Sequence, residues 1–365
     1  METSKQQLQN IDNMCLYPTL IKNKKYQANK KNGGNIPAVS DKRVLYVPVA
    51  CGKCMECKKK KSRDWQVRLL EDSKHIKNGK FVTFTFSNES ISKLHKDLPI
   101  YTNKNKRKLE LDGYDRDNAI AKLGVRRFLE KWRKKHKKSV RHWFITELGH
   151  EGTENIHLHG IIWTDHEEDI DKIWDYGFTW VQEKEKNINE SIVNYITKYI
   201  NKVDFEHKEY NPIILCSKGI GAKYLETFNK STNKYKKNET NEAYTTRSGH
   251  KIMLPIYYRN HIYNEEEREK LWLEKLDKET RYVGGEKIKI DKSEENYYKT
   301  LEFYRNLNKQ LGYGDNEINW DRKNYENERR NMLFKERTKK EEIKYYIEPT
   351  IQENKLPQIN QDEAF

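Results

Sequence analysis

The feature that most limits the possible folds is a set of four short segments in which β-branched and aromatic residues recur at every second position. Such a period of two is typical of strands that bury one face. Apolar residues at helical spacing fill three of the intervals between and after these segments. We therefore predict an α+β fold, with one mainly antiparallel central sheet flanked by helices. The predicted strands are residues 80–87, 141–147, 156–163 and 177–183, and the predicted helices are about 117–136, 166–176 and 188–203.

The rest of the chain is more polar. Residues 100–118 are typical of a loop, and residues 228–248, which contain few apolar side chains, of a mobile loop. Beyond residue 263, dense charge with thin apolar stripes indicates either solvated helices packed on the core or an assembly surface, and we expect this charge to add solubility. Three regions are thus predicted: 1–75 with the cysteines and a basic helix, 76–260 with the sheet, and 261–365, charged and mostly helical.

The chain is strongly basic, with 71 Lys and Arg against 56 Asp and Glu and a net charge of +15. This balance favours a polyanionic partner such as nucleic acid, although a genome rich in A and T would also enrich lysine. No stretch approaches the roughly 20 apolar residues of a membrane span, and the first residues lack the apolar segment of a secretory signal. We expect an intracellular protein without a membrane partner. No phosphate-binding motif of a helicase occurs, so unwinding would depend on another protein.

Two histidines stand two residues apart in the third predicted strand. His157 and His159 therefore point to the same face, and their apolar neighbours point to the other. If the second and third strands form a hairpin, Glu147 lies opposite His157 on that face. Two imidazoles and a carboxylate suit a divalent metal with positions left open for substrate. The alternative is a polar strand face that binds nothing.

Two tyrosines stand four residues apart in the third predicted helix, so Tyr195 and Tyr199 share one face. Aromatic pairs at this spacing often only pack in a core, and the chain has 23 tyrosines. Here, however, four aliphatic residues of the same helix already supply an apolar face. A phenolic oxygen can attack a phosphodiester whose charge a metal withdraws, and Lys198 can neutralise phosphate charge or lower a phenol pKa.

Three motifs resemble those of rolling-circle replication initiators of the HUH endonuclease superfamily: FVTFTF (81–86), HLHG (157–160) and YITKY (195–199). The surrounding sequence is similar to the initiators of small single-stranded-DNA phages of the microvirus group, particularly the gokushoviruses. The resemblance covers about residues 14–260. It is carried further by MCLYPTLIKNKKY (14–26), VPVACGKCMECKKKKSRDWQVRL (47–69), ITELG (145–149) and SKGIGAKYL (217–225).

The resemblance implies an HUH-like fold and an enzyme that nicks and rejoins single-stranded phage origin DNA in the host bacterial cytoplasm. It implies a 5′-phosphotyrosine and a free 3′-hydroxyl that primes the host DNA polymerase, with a host helicase as a further partner. His157 and His159 become ligands of Mg²⁺ or Mn²⁺, and Tyr195 and Tyr199 the paired nucleophiles. Glu147 is a weaker third ligand, because that ligand varies within the superfamily.

The cysteines form a second pattern. In a reducing compartment they argue against a disulfide framework. Cys51, Cys54 and Cys57 are evenly spaced, but the fourth cysteine and the proline of the iron–sulfur pattern are missing. Structural zinc needs four ligands, and Cys15 is the natural fourth. The alternative is a set of reduced thiols, and Cys216 is expected to be an inert, half-buried thiol.

Basic residues cluster on two predicted helices. Their side chains are candidates for contacts with the DNA backbone, which add salt-dependent affinity without sequence specificity. A solvated charge run is the alternative, and Trp65 is predicted to anchor the core rather than stack on bases. The candidates are Lys58, Lys59, Lys60, Lys61, Arg63, Arg126 and Arg127.

Two other functions remain open. A relaxase or transposase would share the same chemical core, although the tyrosine pair and the phage-like segments disfavour it. A non-catalytic, zinc-containing nucleic-acid-binding protein would use the histidine and tyrosine pairs only for packing. Formation of a covalent protein–DNA adduct distinguishes this last class from the enzymes.

Overall fold

The structure is a computed structural model that describes residues 15–102, 108–152, 154–183, 188–247, 249–290 and 294–353. The chain divides into two compact units, each built from several segments. We call them the cysteine unit, within 1–79, 185–208 and 216–318, and the sheet unit, within 80–184, 209–215 and 319–365. Both units take residues from the region 76–260.

Short strands and longer helices alternate along the described residues. The strands are β1 (Thr19–Lys22), β2 (Tyr46–Val49), β3 (Gly79–Phe84), β4 (Tyr101–Thr102), β5 (Lys108–Leu109), β6 (Arg141–Leu148), β7 (Ile156–Trp163), β8 (Thr179–Val181), β9 (Ile214–Cys216), β10 (Ala243–Thr245), β11 (Lys251–Met253), β12 (Thr280–Val283) and β13 (Glu286–Lys289). The helices are α1 (Met55–His75), α2 (Asn88–Lys96), α3 (Gly113–His136), α4 (Glu168–Ile173), α5 (Glu190–Asn201), α6 (Phe228–Ser231), α7 (Ile256–Ile262), α8 (Glu265–Asp277), α9 (Glu295–Gln310) and α10 (Trp320–Glu353).

A five-stranded sheet in the order β8-β3-β7-β6-β9 forms the centre of the sheet unit. Strands β6 and β7 pair as an antiparallel hairpin, and β3 pairs with β8 in the same manner. The predicted α+β fold with a mainly antiparallel sheet is thus confirmed. Gly160 of the HLHG segment pairs with Phe144, and a Cβ at this glycine would collide with the backbone carbonyl of Trp143.

The apolar face of this sheet packs against α3. Phe84 stacks on Trp174 with ring centroids 4.3 Å apart, and Phe128 and Trp132 of α3 complete the aromatic cluster. Burying each large side chain of this kind stabilises the fold by roughly 1.5–3 kcal/mol. The aromatic and β-branched residues that defined the strands in the sequence are therefore the ones that form the core.

Helix α10 packs on α2 and α3 of the sheet unit, so its charge does more than add solubility. Arg330 is 1% exposed, and its guanidinium lies 2.8 Å from a carboxylate oxygen of Asp117 and 3.2 Å from one of Glu154. Phe334, one turn further along, joins the apolar core. The expectation of a merely solubilising C-terminal region is wrong for this helix.

In the cysteine unit, α1 runs beside α5. The side chains of Lys58, Ser62 and Gln66, spaced by one turn, bond to α5 or its C-cap residue: Lys58 Nζ donates to the carbonyl of Lys202 (3.3 Å) and Ser62 Oγ to that of Thr197 (2.9 Å). Spacing of four residues places these three side chains on one stripe of α1. Elsewhere in this unit β1 pairs with β2, and α9 packs on the hairpin β12–β13.

Two segments expected to be loops contain regular structure. In 100–118, α3 already begins at Gly113, β4 and β5 pair, and residues 103–107 lie outside the described part. In 228–248, α6 and β10 form and Tyr244 is buried, although residue 248 is not described. Within the described ranges, we find no helix that combines the length and hydropathy of a transmembrane span.

Candidate active site and cysteine cluster

The two histidines lie on one face of β7, as predicted. His157 and His159 are half-buried, whereas Ile156 and Leu158, before and between them, are buried in the core on the other face. The alternation follows from the period of two of a strand. Both imidazoles are therefore available on the face that the core does not cover.

The hairpin register places Glu147 directly opposite His157, as expected. Its carboxylate, however, bonds to the other histidine: Oε2 lies 2.9 Å from Nε2 of His159. The remaining ring nitrogen of His159 lies 3.1 Å from Oγ1 of Thr83 on β3. Thr83 thus fixes this imidazole from behind, a role that the sequence analysis missed although Thr83 alternates with core residues in FVTFTF.

The donor set fits a divalent metal, with two nitrogens and one carboxylate oxygen on one strand pair. Burial lowers the pKa of His157, and neighbouring His159 lowers it further while Glu147 opposes both. A neutral imidazole is the form that coordinates a metal. The three donor atoms are less tightly grouped than the cysteine sulfurs described below, so a bound ion would draw these side chains together.

Tyr195 and Tyr199 lie on one face of α5, whose first turn is capped by Asn189. Tyr199 donates a hydrogen bond of 2.8 Å to the phenolic oxygen of Tyr195, and the two rings meet edge to face. Tyr195 is 46% exposed, while Val193 and Ile196 of the same helix are buried. The pair is therefore not core packing, and at least one phenol faces solvent.

Lys198 accompanies the tyrosines. It is exposed, and its ammonium nitrogen lies 5.9 Å from the ring centroid of Tyr195. A cation at this distance stabilises negative charge near the phenol. The tyrosines and Lys198 belong to the cysteine unit, and the histidines and Glu147 belong to the sheet unit.

The four cysteines predicted to act together are brought together. The sulfurs of Cys15, Cys51, Cys54 and Cys57 all lie within 4.8 Å of one another, and those of Cys51 and Cys57 are 3.8 Å apart. The backbone N–H of Cys51 donates to the sulfur of Cys15, and that of Cys54 to the sulfur of Cys51. Such N–H contacts stabilise thiolates. The group can hold a metal ion.

The thiols influence one another strongly. Hydrogen bonding to Cys15 lowers the pKa of Cys51 and of Cys54, whereas bonds to the thiolates of its neighbours raise the pKa of Cys57. The thiolate is the form that binds metals. All five cysteines are free, and Cys216 is half-buried, as predicted.

Most of the candidate DNA-binding cations already have protein partners. Lys59 pairs with Glu56 at 3.5 Å and Lys60 with Asp64 at 3.1 Å. On α3, Arg126 pairs with Glu130 and Arg127 with Asp97. Exposed ion pairs exchange readily for other partners. Lys58 and Lys61 have a pKa lowered mainly by burial, and Arg63 is exposed.

Trp65 is half-buried and lies outside the apolar core, so its predicted role as a core anchor is wrong. The guanidinium of Arg68 lies 4.0 Å from the ring centroid of Trp65 and 4.0 Å from that of Tyr257. Spacing of three residues on α1 places Trp65 and Arg68 on the same face. This cationic and aromatic group was not anticipated from the sequence.

Comparison with known proteins gives one family. Residues 79–204 match the profile of the ORF2 family of replication-associated proteins. The matched segment contains FVTFTF, HLHG and YITKY, and therefore His157, His159, Glu147 and both tyrosines. No curated protein and no solved structure matches the chain. The similarity supports a role as a replication initiator.

Proposed function

We propose that the protein initiates rolling-circle replication by nicking and rejoining single-stranded origin DNA. The observation that carries the proposal is the exposed, hydrogen-bonded tyrosine pair on α5, in a chain that also presents two histidines and a carboxylate on one strand face. The family similarity over 79–204 supports it. Its class is that of a single-strand endonuclease and strand transferase.

The reaction is a transesterification. A tyrosine oxygen forms a bond to the scissile phosphorus, and the bond from phosphorus to the 3′ oxygen breaks. The phenol loses its proton, the 3′ oxygen gains one, and the products are a 5′-phosphotyrosine and a 3′-hydroxyl. Because the new phosphodiester retains the bond energy, the reverse attack by a 3′-hydroxyl rejoins the strand. With two tyrosines, one can hold DNA while the other attacks.

His157, His159 and Glu147 would hold Mg²⁺ or Mn²⁺, which withdraws charge from the scissile phosphate. Imidazole ligands favour Mn²⁺, whereas cellular abundance favours Mg²⁺. Thr83 positions His159 for this task through its hydroxyl. Lys198 and the hydrogen bond between the phenols stabilise the attacking oxygen as it becomes negative.

For the cysteine cluster we propose structural Zn²⁺. A tetrahedral zinc ion with bonds of about 2.3 Å separates its sulfurs by about 3.8 Å, which matches the distance between Cys51 and Cys57. Cys15 and Cys54 are buried, and Cys54 immediately precedes α1. The ion would therefore join the start of the described chain to the start of this long helix.

The partners follow from the resemblance to microvirus and gokushovirus initiators. We propose single-stranded phage origin DNA as substrate, a host helicase for unwinding, and a host polymerase that extends the 3′-hydroxyl, all in the host bacterial cytoplasm. A relaxase or transposase is the alternative within the same chemistry. A non-catalytic zinc-containing nucleic-acid-binding protein is the alternative outside it.

The decisive experiment is adduct formation. The full-length protein is incubated with single-stranded origin DNA and Mn²⁺ or Mg²⁺, denatured, and examined for a covalent complex. We expect an adduct that disappears with chelator and in the double variant Tyr195→Phe, Tyr199→Phe. An adduct that persists in the double variant identifies other nucleophiles, and no adduct with wild type under either metal contradicts the enzymatic proposal.

A further inference from the structure

A cavity of about 260 Å³ lies in the cysteine unit beside the cysteine cluster. One wall is a single stripe of α1, because its lining residues follow helical spacing. That stripe adjoins the one that contacts α5. The lining residues of α1 are Glu56, Cys57, Lys60, Lys61, Asp64, Trp65 and Arg68.

The opposite wall comes from α7 and from the segment between β2 and α1. Ile256 and Tyr257 of α7 line the cavity, together with Ala50 and Gly52. Arg68 joins the walls, since its guanidinium lies 4.0 Å from the rings of both Trp65 and Tyr257 and its Nε donates to the carbonyl of Ile220 at 3.0 Å. The aromatic groups are thus held in place by interactions within the unit.

The charges of the lining residues leave an excess of cations. Lys60 pairs with Asp64, and Glu56 pairs with Lys59 outside the cavity. Lys61 and Arg68 remain to offset a ligand's charge. Burial lowers the pKa of both, which is the effect that a neighbouring anion would reverse. An anionic ligand with a flat aromatic part matches this lining.

We propose that this cavity binds one unpaired nucleotide of single-stranded DNA, with its base against Trp65 and Tyr257 and its phosphate near Lys61 and Arg68. Stacking on aromatic rings and guanidinium planes binds bases with little sequence preference. The volume is sufficient for one base but not for a duplex. The proposal deepens the proposed function, on which it rests, by assigning a contact outside the reacting phosphate.

The position of the cavity on α1 gives this contact a purpose. The adjoining stripe of α1 bonds to α5 through Ser62 and Thr197, and α5 carries Tyr195 and Tyr199. A strand anchored along α1 would be held within the same unit as the nucleophiles. Binding energy gained away from the scissile phosphate helps to orient that phosphate for attack.

The test compares two probes with the full-length protein: a short fluorescent oligothymidylate and an abasic oligomer of equal length and charge. Wild type should bind the thymidylate about tenfold more tightly, the size of one base stack. Tyr257→Leu should reduce this preference without weakening binding of the abasic oligomer. Lys61→Gln should weaken both, and Lys122→Gln, an exposed position on α3, should change neither. Equal affinity of wild type for the two probes would overturn the proposal.

A second measurement does not depend on the variants. An oligothymidylate containing 5-iododeoxyuridine is irradiated with wild-type protein, and the crosslinked peptide is identified by mass spectrometry. We expect the crosslink at Trp65 or Tyr257, and crosslinks only elsewhere would contradict the pocket. The adduct assay is independent of this result, so an adduct without base-dependent binding rejects the pocket while retaining the nicking activity.

Discussion

The hydroxyl of Tyr199 donates a 2.8 Å hydrogen bond to the phenolic oxygen of Tyr195. The two phenols are therefore unequal, since Tyr195 is the acceptor and is also largely exposed. A donated hydrogen bond stabilises the phenolate that attacks phosphorus. This arrangement favours Tyr195 as the nucleophile of the first cleavage.

We predict that Tyr195→Phe abolishes the adduct formed in the first turnover. Tyr199→Phe removes one hydrogen bond and should slow that step by about tenfold, corresponding to roughly 1.4 kcal/mol. Single-turnover rates of adduct formation measure both effects. Strand transfer, which uses the tyrosines in turn, should fail in both variants. The reverse ranking of the two variants in the first turnover would show that Tyr199 attacks first.

Local patterns predicted much of the sheet unit. A period of two placed β6 and β7, and the hairpin then put Glu147 opposite His157. Spacing of four residues placed both phenols on one face of α5. These features depend on the geometry of single strands and helices, which a sequence expresses directly. The fold class and the relative placement within each motif were therefore accessible.

Contacts between distant segments were not accessible. Arg330 was assigned to a solvated helix because charged residues are usually exposed, yet its partners Asp117 and Glu154 lie far away in sequence. Trp65 was assigned to the core because tryptophan is apolar, yet it contacts Arg68 at a cavity. Period and composition do not specify which remote residue will neutralise a charge.

Thr83 should position His159 rather than contact substrate. Its hydroxyl lies 3.1 Å from Nδ1, so that Nε2 faces Glu147 and the candidate metal position. We predict that Thr83→Val weakens Mn²⁺ binding by about 10- to 100-fold, the usual effect of removing a group that orients a metal-binding histidine. Electron paramagnetic resonance of free Mn²⁺ measures the affinity directly.

Thr83→Ser keeps the hydroxyl and should restore Mn²⁺ affinity to near that of wild type. His159→Ala should weaken binding at least as much as Thr83→Val. Unchanged Mn²⁺ affinity in Thr83→Val would mean that the hydroxyl does not orient the imidazole.

The cysteine cluster should bind one zinc ion per chain. Cys54 is fully buried among the other sulfurs, so Cys54→Ser should lose the ion and lower the free energy of unfolding by at least about 3 kcal/mol. Elemental analysis measures the zinc, and thermal unfolding with and without a chelator measures the stability.

Cys216→Ser is the matched control, because this half-buried cysteine lies outside the cluster. It should retain full zinc content and near-wild-type stability. A wild-type protein that contains no zinc after purification in zinc-supplemented medium would leave the cluster as reduced thiols.

Arg330 should anchor α10 to the sheet unit. Its Nε donates to Asp117 at 2.9 Å, and its other nitrogens contact the carboxylate and backbone carbonyl of Glu154. Removing one member of a buried ion pair leaves the other charge desolvated and costs about 3–5 kcal/mol. We therefore predict that Arg330→Met destabilises the protein by about that amount, measured by urea unfolding.

The exposed Arg322 on the same helix provides the control, since Arg322→Met should change the free energy of unfolding by less than about 0.5 kcal/mol. A double variant in which Asp117→Asn accompanies Arg330→Met should recover part of the loss, because neither charge is then left alone. Equal stability of Arg330→Met and Arg322→Met would place Arg330 in solvent. Partial recovery in the double variant would instead show that the charged C-terminal helix is held by a specific buried pair.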